Sequence, residues 1–385
     1  MTVPLDGEYR AVRRTARDFA ENELRPIVDE WEDKGEFPKE VLKGLAEYDM
    51  RGAQVDFEYG GGGMDMLSHA VVMEEVSKVW PSAGMKLDEG LLRFIRLFGT
   101  DEQKARWLPG LCSGELVDAI SLSEPANGSD LAGISSTAER EGDGYVLDGN
   151  KMWVTGAGAA DLVAVLVKTD PGERYRGMSV FVVPTDSEGF DVQEPEDLMG
   201  YRASNTHEVV LNDVFVPEEN LLGEENKGFY HTMEMLEENR IAVAARGLGV
   251  AAGAYEAAKR YVDEREQFDQ KISEFQAIRH KVADMAVEVE NCKHLVYNAA
   301  KQCDAGEPCE TEASMAKLYT SEAARRVSNQ AVTAATATLA ISPSRCSIGT
   351  RRGSRSTRER ARSSETSSRT KCSTEAVDAS LTVGF

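Results

Sequence analysis

The sequence predicts an α+β protein built in three parts, helical, then β, then helical again. Two changes of hydrophobic period carry that prediction, one near Ile120 and one near Phe229. Apolar residues recur every three or four positions on a buried helix face and every second position on a strand. Length supplies the third observation: 385 residues exceed what one compact core usually holds, so two or three domains are expected.

From Glu8 to Asp49, Val12, Ala16, Phe19, Ala20, Leu24, Val28 and Trp31 fall at helical spacing with charges between them. FPKE (Phe37–Glu40) puts a proline at a helix start, and VLKGLAEYDM continues that helix. YGGGGMD (Tyr59–Asp65) reads as a flexible break before the helical MLSHAVVMEEVSKVW. LLRFIRLFGTDEQKARWLPGLCSGE reads as two further helices, the second capped by Thr100 or Asp101.

Between Ile120 and about Val216 the pattern alternates. YVLDGNKMWVT, LVAVLVKT, GMSVFVVP and HEVVLNDVFVP are strands separated by Gly, Asp and Pro turns. Strands without intervening helices imply a small barrel or sandwich, not a parallel nucleotide-binding sheet.

After Phe229 the helical period returns. One long helix carries Ile241, Ala245, Leu248, Ala252 and Tyr255 on a stripe, a second spans about Glu274 to Asp304, and a third runs from Glu310 into Thr333. Long antiparallel helices suggest a four-helix bundle. Gly247, Gly249 and Gly253 lie inside the first helix with no strand before them. They therefore serve close helix packing, not a dinucleotide fingerprint.

Composition narrows the function. Hydrophobic content of 41% supports real cores, and a net charge of −22 argues against nucleic acid and anionic membranes while suiting a salt-rich cytoplasm. Six cysteines form no CxxC pair, and no Cys/His set has metal-ligand spacing. The five histidines show no pairing pattern. The opening MTVPLDGEYRAVRR lacks an apolar segment, and no run of about 18 apolar residues occurs. A reduced, unexported cytoplasmic protein is expected.

The stretch from Ile120 to Thr155 concentrates candidate chemistry. ISLSEPANGSD supplies Ala126, Asn127, Gly128 and Ser129, small residues that let backbone N–H groups approach a ligand. KMWVT then sets the Trp153 ring and the Thr155 hydroxyl on one side of a strand. Together these resemble the flavin-facing middle domain of the acyl-CoA dehydrogenase family. The likeness extends over most of the chain, through EFP, EYGGGGMD, FGTDEQKARWLP and SGE to DEREQFDQKISEFQAI.

That resemblance implies an N-terminal helical domain over 1–118, a middle β-domain over 119–217 and a C-terminal helical bundle over 226–332. It implies FAD as cofactor, an acyl-CoA thioester as substrate, an electron-transferring flavoprotein as electron acceptor, and a homotetramer. The reaction takes an α proton to a carboxylate base and a β hydride to the flavin N5. By resemblance, Leu122 and Ser123 touch the flavin ring, Trp153 packs beside it and Thr155 lies near N5. Ser129 lies near the CoA pantetheine or its phosphates. Arg265 would meet the FAD pyrophosphate of a neighbouring subunit, Phe268 its adenine region and Gln276 its ribose or phosphate; a guanidinium fork suits a diphosphate. Glu237 and Arg240 would approach the CoA and thioester. Some members place the base directly before that Arg, where this chain has Asn239, which cannot take a proton; Glu238 reads as surface charge.

Other members carry the base near the C-terminus, in a YEGTSEIQR-type motif preceded by GGYGY. This chain follows the pattern to SNQAV (Ser328–Val332) and then changes character. From Thr333 to Phe385 there are nine Lys or Arg against four Asp or Glu, a net of +5 against −22 for the whole chain. This tail is expected to be disordered or frame-shifted. If each codon joins the third base of one residue to the first two of the next, Thr333-Ala-Ala-Thr-Ala-Thr permits Gly-Gly-Tyr-Gly-Tyr. The segment from Arg355 to Thr366 likewise permits Ile-Tyr-Glu-Gly-Thr-Ser-Glu-Ile-Gln-Arg-Asn. A one-nucleotide shift near codon 333 is therefore hypothesised, with the base straddling Thr357 and Arg358; no catalytic base is intact as the chain stands. Three other readings stay open: an inactive FAD- or acyl-CoA-binding remnant, a basic-tailed interaction protein and an acyl-CoA oxidase. Acyl length, branching and pathway are not fixed, although fatty-acid or branched amino-acid breakdown is what the family suggests.

Overall fold

The computed structural model describes residues 5–335. The re-read segments of the tail lie outside the described residues, apart from the first three residues of the one beginning at Thr333.

The first part is helical, as the spacing predicts. The α1 helix (Gly7–Phe19) runs into a π turn (Ala20–Leu24) and is followed by α2 (Val28–Lys34) and α3 (Lys39–Glu47), with Pro38 as the N-cap of α3. The YGGGG loop is not a flexible break. Gly61 and Gly62 are buried, and a side chain on Gly62 would meet the Asp49 carbonyl at 2.7 Å, while one on Gly61 would collide with Val55. The glycines are there for close backbone approach.

Next come α4 (Met66–Val79), the unanticipated short α5 (Pro81–Lys86), α6 (Gly90–Phe98) and α7 (Asp101–Cys112). Thr100, not Asp101, caps α7, closing a reciprocal box with Gln103. The start of α4 is capped twice. Asp65 accepts from Ser68 N at 2.8 Å, and Asp304, far along the chain, accepts from Met66 N at 2.7 Å and Leu67 N at 3.0 Å. Asp304→Ala should therefore cost about 1 kcal/mol, read as a lowered denaturant midpoint with an unchanged m-value.

The middle part is one sheet in the order β6-β7-β3-β2-β4-β5-β8, with β1 added beside β4. Its strands are β1 (Asp118–Ser121), β2 (Thr137–Glu141), β3 (Gly144–Thr155), β4 (Leu162–Lys168), β5 (Met178–Pro184), β6 (Phe190–Pro195), β7 (Thr206–Pro217) and β8 (Leu221–Leu222). Periodicity finds the long strands and misses β1, β2, β6 and β8, which are short or weakly alternating. Pairing is mostly antiparallel, with β1 and β2 parallel to β4. Val163, Val165, Val167, Phe181, Leu211 and Val216 share a core drawn only from this domain, so the sheet curls around its own interior. The other face of β4 packs Leu162, Ala164 and Leu166 against α6 and α7.

The third part is α8 (Gly228–Glu264), a small hairpin of β9 (Glu266–Gln267) and β10 (Gln270–Lys271), α9 (Gln276–Asp304) and α10 (Glu310–Ala335). The α8 stripe is buried at Ile241, Ala245, Leu248 and Ala252. Helix α4 packs into the same core, its backbone meeting the glycine face of α8. A Cβ on Gly249 would lie 2.5 Å from the Glu74 carbonyl, and one on Gly253 would collide with that of Lys78. These glycines serve helix contact. The end of the expected four-helix bundle lies outside the described residues.

Candidate active site

The two halves of the 120–155 stretch are tied together at their base. Lys151, on β3, is fully buried and donates to Glu124 Oε1 at 3.0 Å. Glu124 also accepts from Ser135 N at 2.6 Å, Ser135 Oγ at 2.7 Å and Ser136 N at 2.9 Å. Burial alone would raise the Glu124 carboxyl, but Lys151 and these donors outweigh it and lower it to about 2. Burial dominates for Lys151 and lowers it to about 8. Met152 N donates to Ser123 O at 2.9 Å, bringing the loop and strand edge to edge.

Above this base the backbone re-aims. The β3–β7 register shifts between Lys151 and Val154, and Trp153 adopts φ 62°. Such a bulge turns a side chain out of the regular alternation. Trp153, 45% exposed, stands with Thr155, Leu122 and Ser123 on the wall of one pocket. The opposite wall is α8, through Leu236, Asn239, Arg240 and Val243. An aromatic face with apolar neighbours and two hydroxyls fits a planar ring that has apolar faces and polar edges, so these residues fit the flavin that the sequence implies.

Other expected residues lie elsewhere. Ser129 is exposed on the loop and does not line the pocket. Glu237 is on α8 next to Arg240 but does not line it either, and burial with the nearby Glu310 raises its carboxyl. Arg265, Phe268 and Gln276 gather at the β9–β10 hairpin, all exposed, with Phe268 at 87% and edge-on to Phe275. None of the three lines the pocket. Glu238 is not surface charge: it pairs with Arg96 and lies 3.6 Å from the buried Arg93.

The pocket floor contains residues that periodicity did not flag. Lys86 at the end of α5, Asp88 and Glu89 on the connection and Gly90 at the start of α6 line it with Arg51, Asp118 and Arg246. Arg51 pairs with Asp118, and Asp88 pairs with Arg246. Glu89 Oε1 accepts from Gly52 N at 2.6 Å, and burial raises its carboxyl to about 7 against the opposing pull of Arg51. Charged letters inside helical segments read as solvated faces. No signal in the sequence alone marks these as inward.

Among the described residues no group of His, Cys, Asp and Glu could hold a metal ion, and no helix is long and apolar enough to cross a membrane.

Comparison with known proteins places this geometry. Family profiles described as acyl-CoA dehydrogenase N-terminal, middle and C-terminal domains match residues 6–115, 119–214 and 226–340. The chain is 41% identical over 328 residues to a 3-(aryl)acrylate reductase of Clostridium sporogenes, covering 84% of this chain and 87% of that protein. It is 38% identical over 335 residues to a short-chain-specific acyl-CoA dehydrogenase of Clostridium acetobutylicum, with 86% and 88% covered. The butyryl-CoA dehydrogenase structure from Megasphaera elsdenii superposes with a TM-score of 0.86 at 34% identity, covering 91% of this chain and 94% of that one.

Proposed function

Because the chain belongs to the acyl-CoA dehydrogenase family, we propose that its pocket holds the FAD ring beside an acyl-CoA thioester, which it oxidises to the trans-2-enoyl-CoA. One observation carries this reading: Leu122, Ser123, Trp153 and Thr155 from the middle domain face Arg240 of α8 across a single pocket. Bound there, FAD would accept the β hydrogen as hydride and pass the electrons to an electron-transferring flavoprotein.

The chain's own residues do the positioning. Trp153 would cover the ring face, the Thr155 hydroxyl, 3.3 Å from that of Thr206, would meet its edge, and Arg240 would hold the thioester end. Arg265, Phe268 and Gln276 serve the adenosine diphosphate arm of a flavin bound by a second copy. Their exposure together at one hairpin, away from the pocket, supports that assignment, and the family resemblance supports a homotetramer. The absence of CxxC pairs, with the free cysteines found among the described residues, supports a cytoplasmic location.

Titrating the full chain with FAD and following flavin fluorescence tests the site. Trp153→Ala should weaken FAD binding roughly tenfold, the loss of one well-packed aromatic contact. Arg265→Ala should weaken it as well, and only where the protein is oligomeric. Unchanged FAD affinity in both variants would overturn the assignment.

A further inference from the structure

The Lys86 side chain has no role in the flavin site as described. It lines the pocket floor at 8% exposure. Its ammonium sits 5.5 Å from the Phe37 ring and makes no hydrogen bond or ion pair among the described residues. Lys86 Nζ also occupies the space a side chain on Gly156 would need, which places it just past Thr155 along β3. The ammonium thus opens onto the pocket from an otherwise enclosed side chain, and proteins ordinarily give such a charge a counter-ion.

Asp118 attracts the Lys86 ammonium, but no neighbouring carboxylate bonds it. Arg51 takes Asp118, Arg246 takes Asp88, and Glu89 is held by Gly52 N with its carboxyl raised to about 7, so it is half-neutral near physiological pH. Burial lowers Lys86 only to about 8, leaving it charged at pH 7. The Lys86 ammonium is therefore left without a bonded counter-charge among the described residues.

The order of groups along the pocket says what would balance it. In the reading above, on which this inference rests, the thioester lies by Arg240 and the β carbon faces Thr155. Acyl carbons beyond β then continue past Thr155, toward Gly156 and Lys86. We propose that Lys86 ends the acyl subsite and selects thioesters whose acyl group terminates in a carboxylate.

Calorimetric binding of two probes of equal chain length to the FAD-loaded full chain tests this: glutaryl-CoA, with a terminal carboxylate, and valeryl-CoA, with a terminal methyl. Glutaryl-CoA should bind at least about tenfold tighter, as expected for a charge-assisted contact. Lys86→Met should abolish or reverse that preference while FAD affinity stays unchanged. The comparison on the unsubstituted chain needs no variant to fold. Equal binding of the two probes overturns the inference and leaves the acyl-CoA reading standing. A Lys86→Met variant that loses FAD affinity but keeps the preference overturns it in favour of a flavin contact. Binding of neither probe overturns both readings.

Discussion

A gene repaired by one nucleotide near codon 333, so that the downstream frame reads GGYGY and then IYEGTSEIQRN, should yield a protein that oxidises acyl-CoA at least about 100-fold faster than the present chain. The expected size follows from the proton. Removing an α proton without a positioned base forfeits roughly 10²- to 10⁴-fold, and the present chain has Thr357 and Arg358 where the glutamate would fall, with Asn239 at the alternative position. Neither Glu89 nor Asp88 replaces it: the first is bound to Gly52 N and the second to Arg246. Reduction of an electron-transferring flavoprotein by butyryl-CoA, compared between the two proteins, reads the effect. Sequencing source DNA across codons 325 to 385 reads its origin. Source DNA that carries the present frame would refute a shift by error, and equal rates in the two proteins would show that the restored glutamate is not the base.

Lys151→Met should destabilise the protein by about 3–5 kcal/mol, the cost of leaving one member of a buried ion pair without its counter-charge. Glu124 would keep its donors from Ser135 and Ser136 but lose the ammonium that balances it. The double variant Lys151→Met/Glu124→Gln should lose less than the sum of the two single changes, because no isolated charge remains. Thermal unfolding of the three variants checks this, and additive losses would refute the coupling. The same pair sets an acid limit. Glu124 is lowered from 4.5 to about 2 in the folded protein. Its contribution is therefore fully present above the unfolded value of 4.5 and is lost as pH falls from there toward 2. The loss amounts to roughly 3 kcal/mol at 1.36 kcal/mol per unit. Glu124→Gln should flatten the stability curve in that window.

Much of this molecule was legible before any coordinates. The two changes of period fixed the helical, β and helical parts, since burying a helix stripe and burying a strand face demand different spacings of apolar residues. Trp153 and Thr155 were readable as one face because they stand two apart on a strand, the resemblance added Leu122 and Ser123, and the structure does bring the four together. The glycines of α8 were readable as packing residues because nothing before them could form a nucleotide-binding strand.

What only tertiary structure decided concerns charge and approach. The sequence marks Lys86, Arg51, Asp118 and Arg246 as charged and nothing more. Whether such a group faces water or a pocket depends on which elements fold over it, and here α5, α6, β1 and α8 close around all four. Glu238 was misread as solvated for the same reason, because its partners Arg93 and Arg96 come from a helix some 140 residues earlier. The YGGGG loop was misread as loose because composition records the absence of side chains and not the backbone packed against them. Local patterning determines which face of each element is apolar. Which buried charges meet, and which one is left without a partner, is settled by contacts between residues far apart in the chain.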